Sequence, residues 1–206
     1  MFFGNIPSDS IDFFCAIVST VIVCFVFLGM SIGYTQKRAQ KRYAAGKEKA
    51  PSITIFTTLS KILFVSGMLL TLVSYWLDIP RFLLFHDSNT SRIIGVLFVL
   101  SGYIGLQYAF VKLDKNYSPL FDAYKPFSLT TSGIYRHIRH PIYLFNLFVS
   151  FGLALSSGVY LVLLTALIGF GFVLKAALIE EKYLKQQFSE YDAYCLRTWR
   201  LIPYIF

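Results

Sequence analysis

One short stretch of this chain concentrates side chains able to do chemistry: Gly133-Ile134-Tyr135-Arg136-His137-Ile138-Arg139-His140-Pro141-Ile142-Tyr143. It stands just before an apolar run. Pro141 suits the first turn of a helix, where a missing N–H costs nothing. Arg139 and His140 then fall at the helix N-terminus, where free backbone N–H groups and the helix dipole favour an anion. A second group closes a later apolar run, the paired carboxylates Glu180 and Glu181. Helix rise puts about 26 Å between Pro141 and Gly158 and about 33 Å between Gly158 and Glu180. A hairpin turning at Ser156-Ser157-Gly158 therefore returns the glutamates to the depth of Arg139 and His140. Charges at membrane depth are costly, so their convergence marks a functional site. The plain alternative is an ion pair pinning the hairpin. Neighbouring glutamates point about 100° apart on a helix, so both should not pair at one place. The tail adds Tyr191, Tyr194, Arg197, Trp199 and Arg200. Interfacial aromatic and basic residues are ordinary, but Arg197 or Arg200 could be aimed into the site.

The elements that position these residues are expected to be membrane helices. Of 206 residues, 56% are hydrophobic and only 15% charged, against about a quarter charged in a soluble domain. Apolar runs at about Ile11–Tyr34, Ile53–Leu77, Arg92–Val111, Pro141–Ser156 and Val159–Ile179 are each read as a span of a bilayer core ~30 Å thick. Gly95, Ser101, Gly102 and Gly105 give the third run a small-residue face for close packing. Residues 180–200 place Leu184, Phe188, Tyr191 and Cys195 at helical spacing among polar residues, which predicts an amphipathic helix lying on the membrane. The expected fold is all-α and integral to the membrane, one unit over 1–206: three spans in 1–110, then a catalytic half in 111–206.

Loop charge sets the orientation. Lys37, Arg38, Lys41, Arg42, Lys47 and Lys49 crowd the first loop, which should be cytoplasmic, with the N-terminus outside. Alternation leaves residues 78–91 outside and the basic stretch 112–139, the site and the C-terminus inside. The net charge of +8 then reflects cytoplasmic loops facing anionic headgroups rather than nucleic acid. Cys15, Cys24 and Cys195 form neither a disulfide framework nor a zinc pattern, and no metal site is expected. Met1–Ser10 lacks the positive region of a signal peptide. No Gly-x-Gly-x-x-Gly follows a strand-like run, so a soluble dinucleotide fold is unsupported.

With these residues in place, the chain resembles the isoprenylcysteine carboxyl methyltransferases and the related phospholipid methyltransferases. The matching residues are Gly133, Tyr135, Arg139-His140-Pro141-x-Tyr143, Glu180-Glu181, Leu184, Phe188, Tyr191, Tyr194, Arg197 and Pro203, with Lys115-Asn116-Tyr117-Ser118 upstream. Tyr117 stands where the family commonly has Trp. The resemblance covers about residues 110–205 and implies methyl transfer from S-adenosylmethionine to a lipid or prenylated acceptor entering from the bilayer, most like isoprenylcysteine carboxyl O-methylation. It implies cofactor binding near Tyr135, Arg139, His140, Pro141, Tyr143, Glu180 and Glu181. Arg197, Arg200 or Glu180 would act on the acceptor: an arginine to orient a carboxylate, or Glu180, with His137 as the alternative, as base for an amine.

Three rival readings remain at this level. A phospholipid or amine N-methyltransferase shares the architecture. A membrane steroid-type reductase using NADPH resembles Arg-His-x-x-Tyr, but without the glutamate pair. A small membrane scaffold needs no site at all. The expected membrane is a prokaryotic inner membrane, with the endoplasmic reticulum as the alternative.

Overall fold

The computed structural model describes Val18 and residues 54–77, 80–86, 88–113, 116, 126 and 128–204. The first apolar run and its basic loop lie outside these residues, except Val18, which is helical and packs against the core. The described chain is helical: α1 Thr54–Trp76, α2 Asn89–Leu113, α3 Pro141–Ser157, α4 Tyr160–Gln187 and the short α5 Tyr191–Cys195. Single 3-10 turns occur at Arg81–Leu83 and Gly133–Arg136. Among the described residues two helices, α2 and α4, are long and apolar enough to cross a bilayer, while α3 is shorter at 17 residues.

The two longest packing seams are α2 on α3 and α1 on α4. Small residues make the first seam close. A Cβ on Gly95 would sit 2.4 Å from the Ser156 backbone nitrogen, and one on Gly152 would sit 2.8 Å from the Gly95 carbonyl oxygen. The two backbones thus touch with nothing between them, as small-residue faces permit. Gly102 and Gly105 continue the seam against Phe145. In the second seam Gly67 faces the Thr165 hydroxyl. Met68, Val99, Val149, Leu153 and Val162 fill the shared core. Outward positions carry exposed apolar side chains instead, among them Leu97, Ile104, Val111, Leu161 and Leu167. Burying that surface in lipid is favourable, as water would not be.

The hairpin turn is as expected from its sequence. α3 ends at Ser157 and Gly158 caps it at φ 71°, a conformation glycine adopts without strain. The connector between α1 and α2 is stitched to that turn. Phe85 N–H donates to the Gly158 carbonyl at 2.8 Å, and Tyr75 Oη to the Ser156 carbonyl at 2.8 Å. His86 Nε2 lies 2.8 Å from the Leu155 carbonyl.

One expectation requires correction. No separate amphipathic helix spans 180–200: α4 runs through Glu180 and Glu181 to Gln187, and only the five residues Tyr191–Cys195 form a further helix. The change from apolar to amphipathic composition at Ile179 marks where the surroundings change, not where backbone hydrogen bonding stops. The helix ends instead at Phe188, whose φ of −132° is extended.

A charged cluster at the start of the hairpin

Pro141 is the first residue of α3 and His140 its N-cap. The segment before it is held by the tail rather than by its own helix. Arg139 N–H donates to the Trp199 carbonyl at 2.8 Å, His140 N–H to the Arg200 carbonyl at 3.1 Å, and Trp199 N–H to the His137 carbonyl at 2.9 Å. This short parallel bridge lays residues 198–201 alongside 137–140. The 3-10 turn satisfies the N–H groups of His137 and Ile138 through the Ile134 carbonyl, and the tail supplies the partners that Arg139 and His140 lack locally.

Side chains complete the clip. Glu181, 6% exposed, accepts from Arg139 Nε at 2.8 Å and from Arg200 Nε and Nη2 at 3.0 and 2.8 Å. Arg139 Nη1 reaches the carbonyls of Cys195, at 3.1 Å, and Thr198. The Tyr194 hydroxyl donates to the Tyr135 carbonyl at 2.6 Å, and Thr198 Oγ1 to the Tyr194 carbonyl at 2.7 Å. Each buried charge therefore has a partner, the condition under which burial is tolerable. Burial raises the Tyr191 and Tyr194 phenols above their ordinary range.

Glu180 has different company. Its carboxylate accepts from Tyr143 Oη at 2.9 Å and lies 3.5 Å from His140 Nδ1, and its side chain is 36% exposed. His140 stands between the two glutamates, with Nε2 3.3 Å from Glu181 Oε1. Both carboxylates thus join one cation cluster despite pointing apart on α4, because His140 offers a nitrogen to each. That corrects the expectation that both should not pair at one place. Burial by itself would lower the His140 pKa; the adjacent Glu180 and Glu181 carboxylates outweigh it and raise it. The His140 and Tyr143 rings stack at 5.3 Å and 11°.

The expected site residues divide accordingly. Tyr143, His140, Glu180, Glu181, Arg139 and Arg200 come together around the start of α3. Tyr135 is buried beneath them, its hydroxyl 3.4 Å from the Ala109 carbonyl. Arg197 is exposed and bonds the Ala193 carbonyl of its own turn at 3.2 Å, outside the cluster. Thr198 and the carbonyls of Cys195, Trp199 and Arg200 take part without any signal in the sequence, since irregular backbone pairing has no period. Two buried polar groups here keep unfilled hydrogen-bonding capacity among the described residues. The Tyr191 hydroxyl has no partner, and His140 Nε2 sits in ion-pair range of Glu181 without an aligned hydrogen bond.

Below the cluster opens a groove between α1, α3 and α4. Tyr143 lines it at the end nearest Glu180. The walls beyond are mainly apolar, with Phe64, Leu147, Leu153 and Val173, interrupted by Asn146, Ser150 and Lys61. No group of three or more His, Cys, Asp or Glu able to hold a metal occurs among the described residues.

A comparison with curated proteins returned no match. The family model for phospholipid methyltransferases matches residues 90–191, a stretch that contains α2, the His-Pro segment, the hairpin and both glutamates and stops before Arg197 and Arg200. Over that stretch the chain is similar to the phospholipid methyltransferase family.

Proposed function

We propose that this protein transfers the methyl group of S-adenosylmethionine to an amine carried by a membrane lipid. The reading keeps the five-span topology, with the cluster at the cytoplasmic edge of the bilayer. The observation that carries it is Glu180, a carboxylate in contact with Tyr143 at the end of an apolar groove. A lipid chain in the groove would bring its polar end to this carboxylate. An amine acceptor is an ammonium ion at neutral pH and must lose a proton before it can attack, so a carboxylate beside it both attracts and deprotonates it. A carboxylate acceptor, as in prenylcysteine, would meet like charge there. That is the runner-up reading, and the second arginine of the tail that it would use, Arg197, lies outside the cluster.

The residues fit the methyl donor. S-adenosylmethionine, when bound, supplies a methyl group on a positively charged sulfur. The buried Tyr191 hydroxyl and His140 Nε2, each with hydrogen-bonding capacity left over, suit a ligand rich in carboxylate and hydroxyl oxygens. The His140–Tyr143 stack offers an aromatic face to a cation. Arg139, Glu181 and Arg200 hold the tail over the start of α3 and thereby position His140. Glu180 takes the acceptor's proton, and Tyr143 Oη orients that carboxylate. Little covalent work falls to the chain, so the rate arises from alignment and exclusion of water.

Calorimetry on the purified protein tests the donor site. S-adenosylmethionine or S-adenosylhomocysteine should bind at micromolar affinity and NADPH should not. Binding of NADPH alone would replace this reading with a reductase.

A further inference from the structure

Asn146 lines the apolar groove from α3, half-buried, with a side-chain amide. It follows Tyr143 by one turn of the same helix, which sets it about 4.5 Å deeper along the axis. Ser150 lines the same wall about one turn further down. Polar side chains in membrane helices commonly bond a neighbouring helix. Asn146 is not used in that way: among the described residues its amide makes no hydrogen bond. Ser150 has spent its proton, since its hydroxyl donates to the Asn146 backbone carbonyl at 2.9 Å. Its oxygen keeps only lone pairs for the groove. The ledge below Tyr143 thus offers the amide N–H donors and carbonyl oxygen of Asn146, and the accepting oxygen of Ser150. A polar group left open at membrane depth is costly, which makes a ligand its expected use.

Resting on the amine-acceptor reading above, we propose that Asn146 is a specificity-determining residue that binds a hydroxyl or amide group of the acceptor, close below the nitrogen that Glu180 receives. A hydroxyl or an amide both donates and accepts. It therefore answers the Asn146 N–H and one of the two waiting oxygens together. An ester or phosphodiester only accepts, and leaves those oxygens facing lone pairs. A plain alkyl chain answers neither and covers the amide unpaired, the cost by which a site built to hydrogen-bond rejects an analogue lacking the group. The bond also sets register. Burial in apolar walls is non-directional, so it lets a chain slide along the groove. One hydrogen bond at a fixed depth stops the chain with its nitrogen at the Glu180 carboxylate. The acceptor class is then a long-chain amine bearing a hydroxyl or amide near its nitrogen. No covalent step involves Asn146.

The test is methyl transfer by the full chain in detergent micelles, with radiolabelled S-adenosylmethionine. The acceptors are a long-chain amino alcohol, its hydroxyl on the carbon next to the one bearing the amine, and the same amine without the hydroxyl. Wild type, Asn146→Leu and Ser150→Ala are compared by the ratio of kcat/KM for the two acceptors, with donor affinity measured on each protein to establish folding. Leucine keeps nearly the volume of asparagine and removes both polar atoms. Wild type should favour the amino alcohol about tenfold, the scale of one buried hydrogen bond. Asn146→Leu should bring the ratio close to one by losing transfer to the amino alcohol alone, and Ser150→Ala should lower it part of the way. Equal rates of wild type on both acceptors overturn the role of Asn146 and leave the amine reading in place. So does an equal loss on both in Asn146→Leu with donor affinity intact, since that marks a residue that only shapes the groove. Transfer by wild type to prenylcysteine and to neither amine overturns the amine reading together with this one.

Discussion

Replacing Glu181 with alanine isolates the energy that clips the tail to the start of α3. The glutamate side chain is 6% exposed, and its partners Arg139 and Arg200 are 10% and 21% exposed, so solvent screens these pairs little. Its removal deletes three hydrogen bonds from two guanidinium groups and leaves His140 Nε2 beside empty space. Breaking a buried ion pair on one side costs about 3–5 kcal/mol. The arginines keep some support: Arg139 still has the carbonyls of Cys195 and Thr198, and Arg200 can turn to water. The lower figure, about 3 kcal/mol, is therefore expected. At about 1.4 kcal/mol per decade the detached tail rises about a hundredfold in population. Arg197 is exposed, and trypsin cleaves after it once the tail detaches. With fast opening and closing, the cleavage rate follows that population. Glu181→Ala should be cut about a hundredfold faster, and Glu181→Gln, which keeps one acceptor and the shape, by an intermediate factor. A rate within threefold of wild type for Glu181→Ala would refute the claim that this carboxylate holds the tail.

Three further outcomes are expected. The His140 pKa is raised in the folded protein, so its stabilising contribution is full below its unfolded value of about 6.5 and is lost as pH rises through the higher folded value. Tryptic protection of the tail should therefore weaken on the alkaline side in wild type, and this dependence should flatten in His140→Gln. Gly95→Ala forces a Cβ to 2.4 Å from the Ser156 nitrogen, where only backbone can yield, and should cost about 3 kcal/mol by thermal melting; Gly171→Ala, with nothing within 4 Å, should change stability by less than about 0.5 kcal/mol. Tyr143→Phe removes the 2.9 Å bond to Glu180 and should lower kcat about tenfold with the tail as protected as in wild type.

The sequence carried the hairpin and the depth of its charges plainly. Pro141 at the first helical position, Gly158 at the turn and the glutamate pair at matching distance are local signals, readable from propensity and helix rise. The pairing of the tail with residues 137–140 was not readable, because a single backbone bridge between irregular segments has neither period nor composition. For the same reason nothing in the spacing chose Arg200 over Arg197; three residues apart, they diverge because the chain turns between them. Residues 180–187 mislead in another way. Hydropathy falls after Ile179, and α4 continues beyond that point to Gln187. Lys61 lies within an apolar run, and only the packing of α1 on α3 and α4 places it in the groove.

We propose that Glu180, His140 and Tyr143 form the site of methyl transfer. The most direct measurement incubates the purified protein, in nanodiscs containing phosphatidylethanolamine, with methyl-labelled S-adenosylmethionine and counts label in the lipid extract. Wild type should transfer label to lipid, and Glu180→Gln should transfer at least about a hundredfold less while its tail stays as resistant to trypsin as in wild type. Equal transfer by both proteins, or none by wild type with any lipid amine or prenylcysteine supplied, would contradict the account.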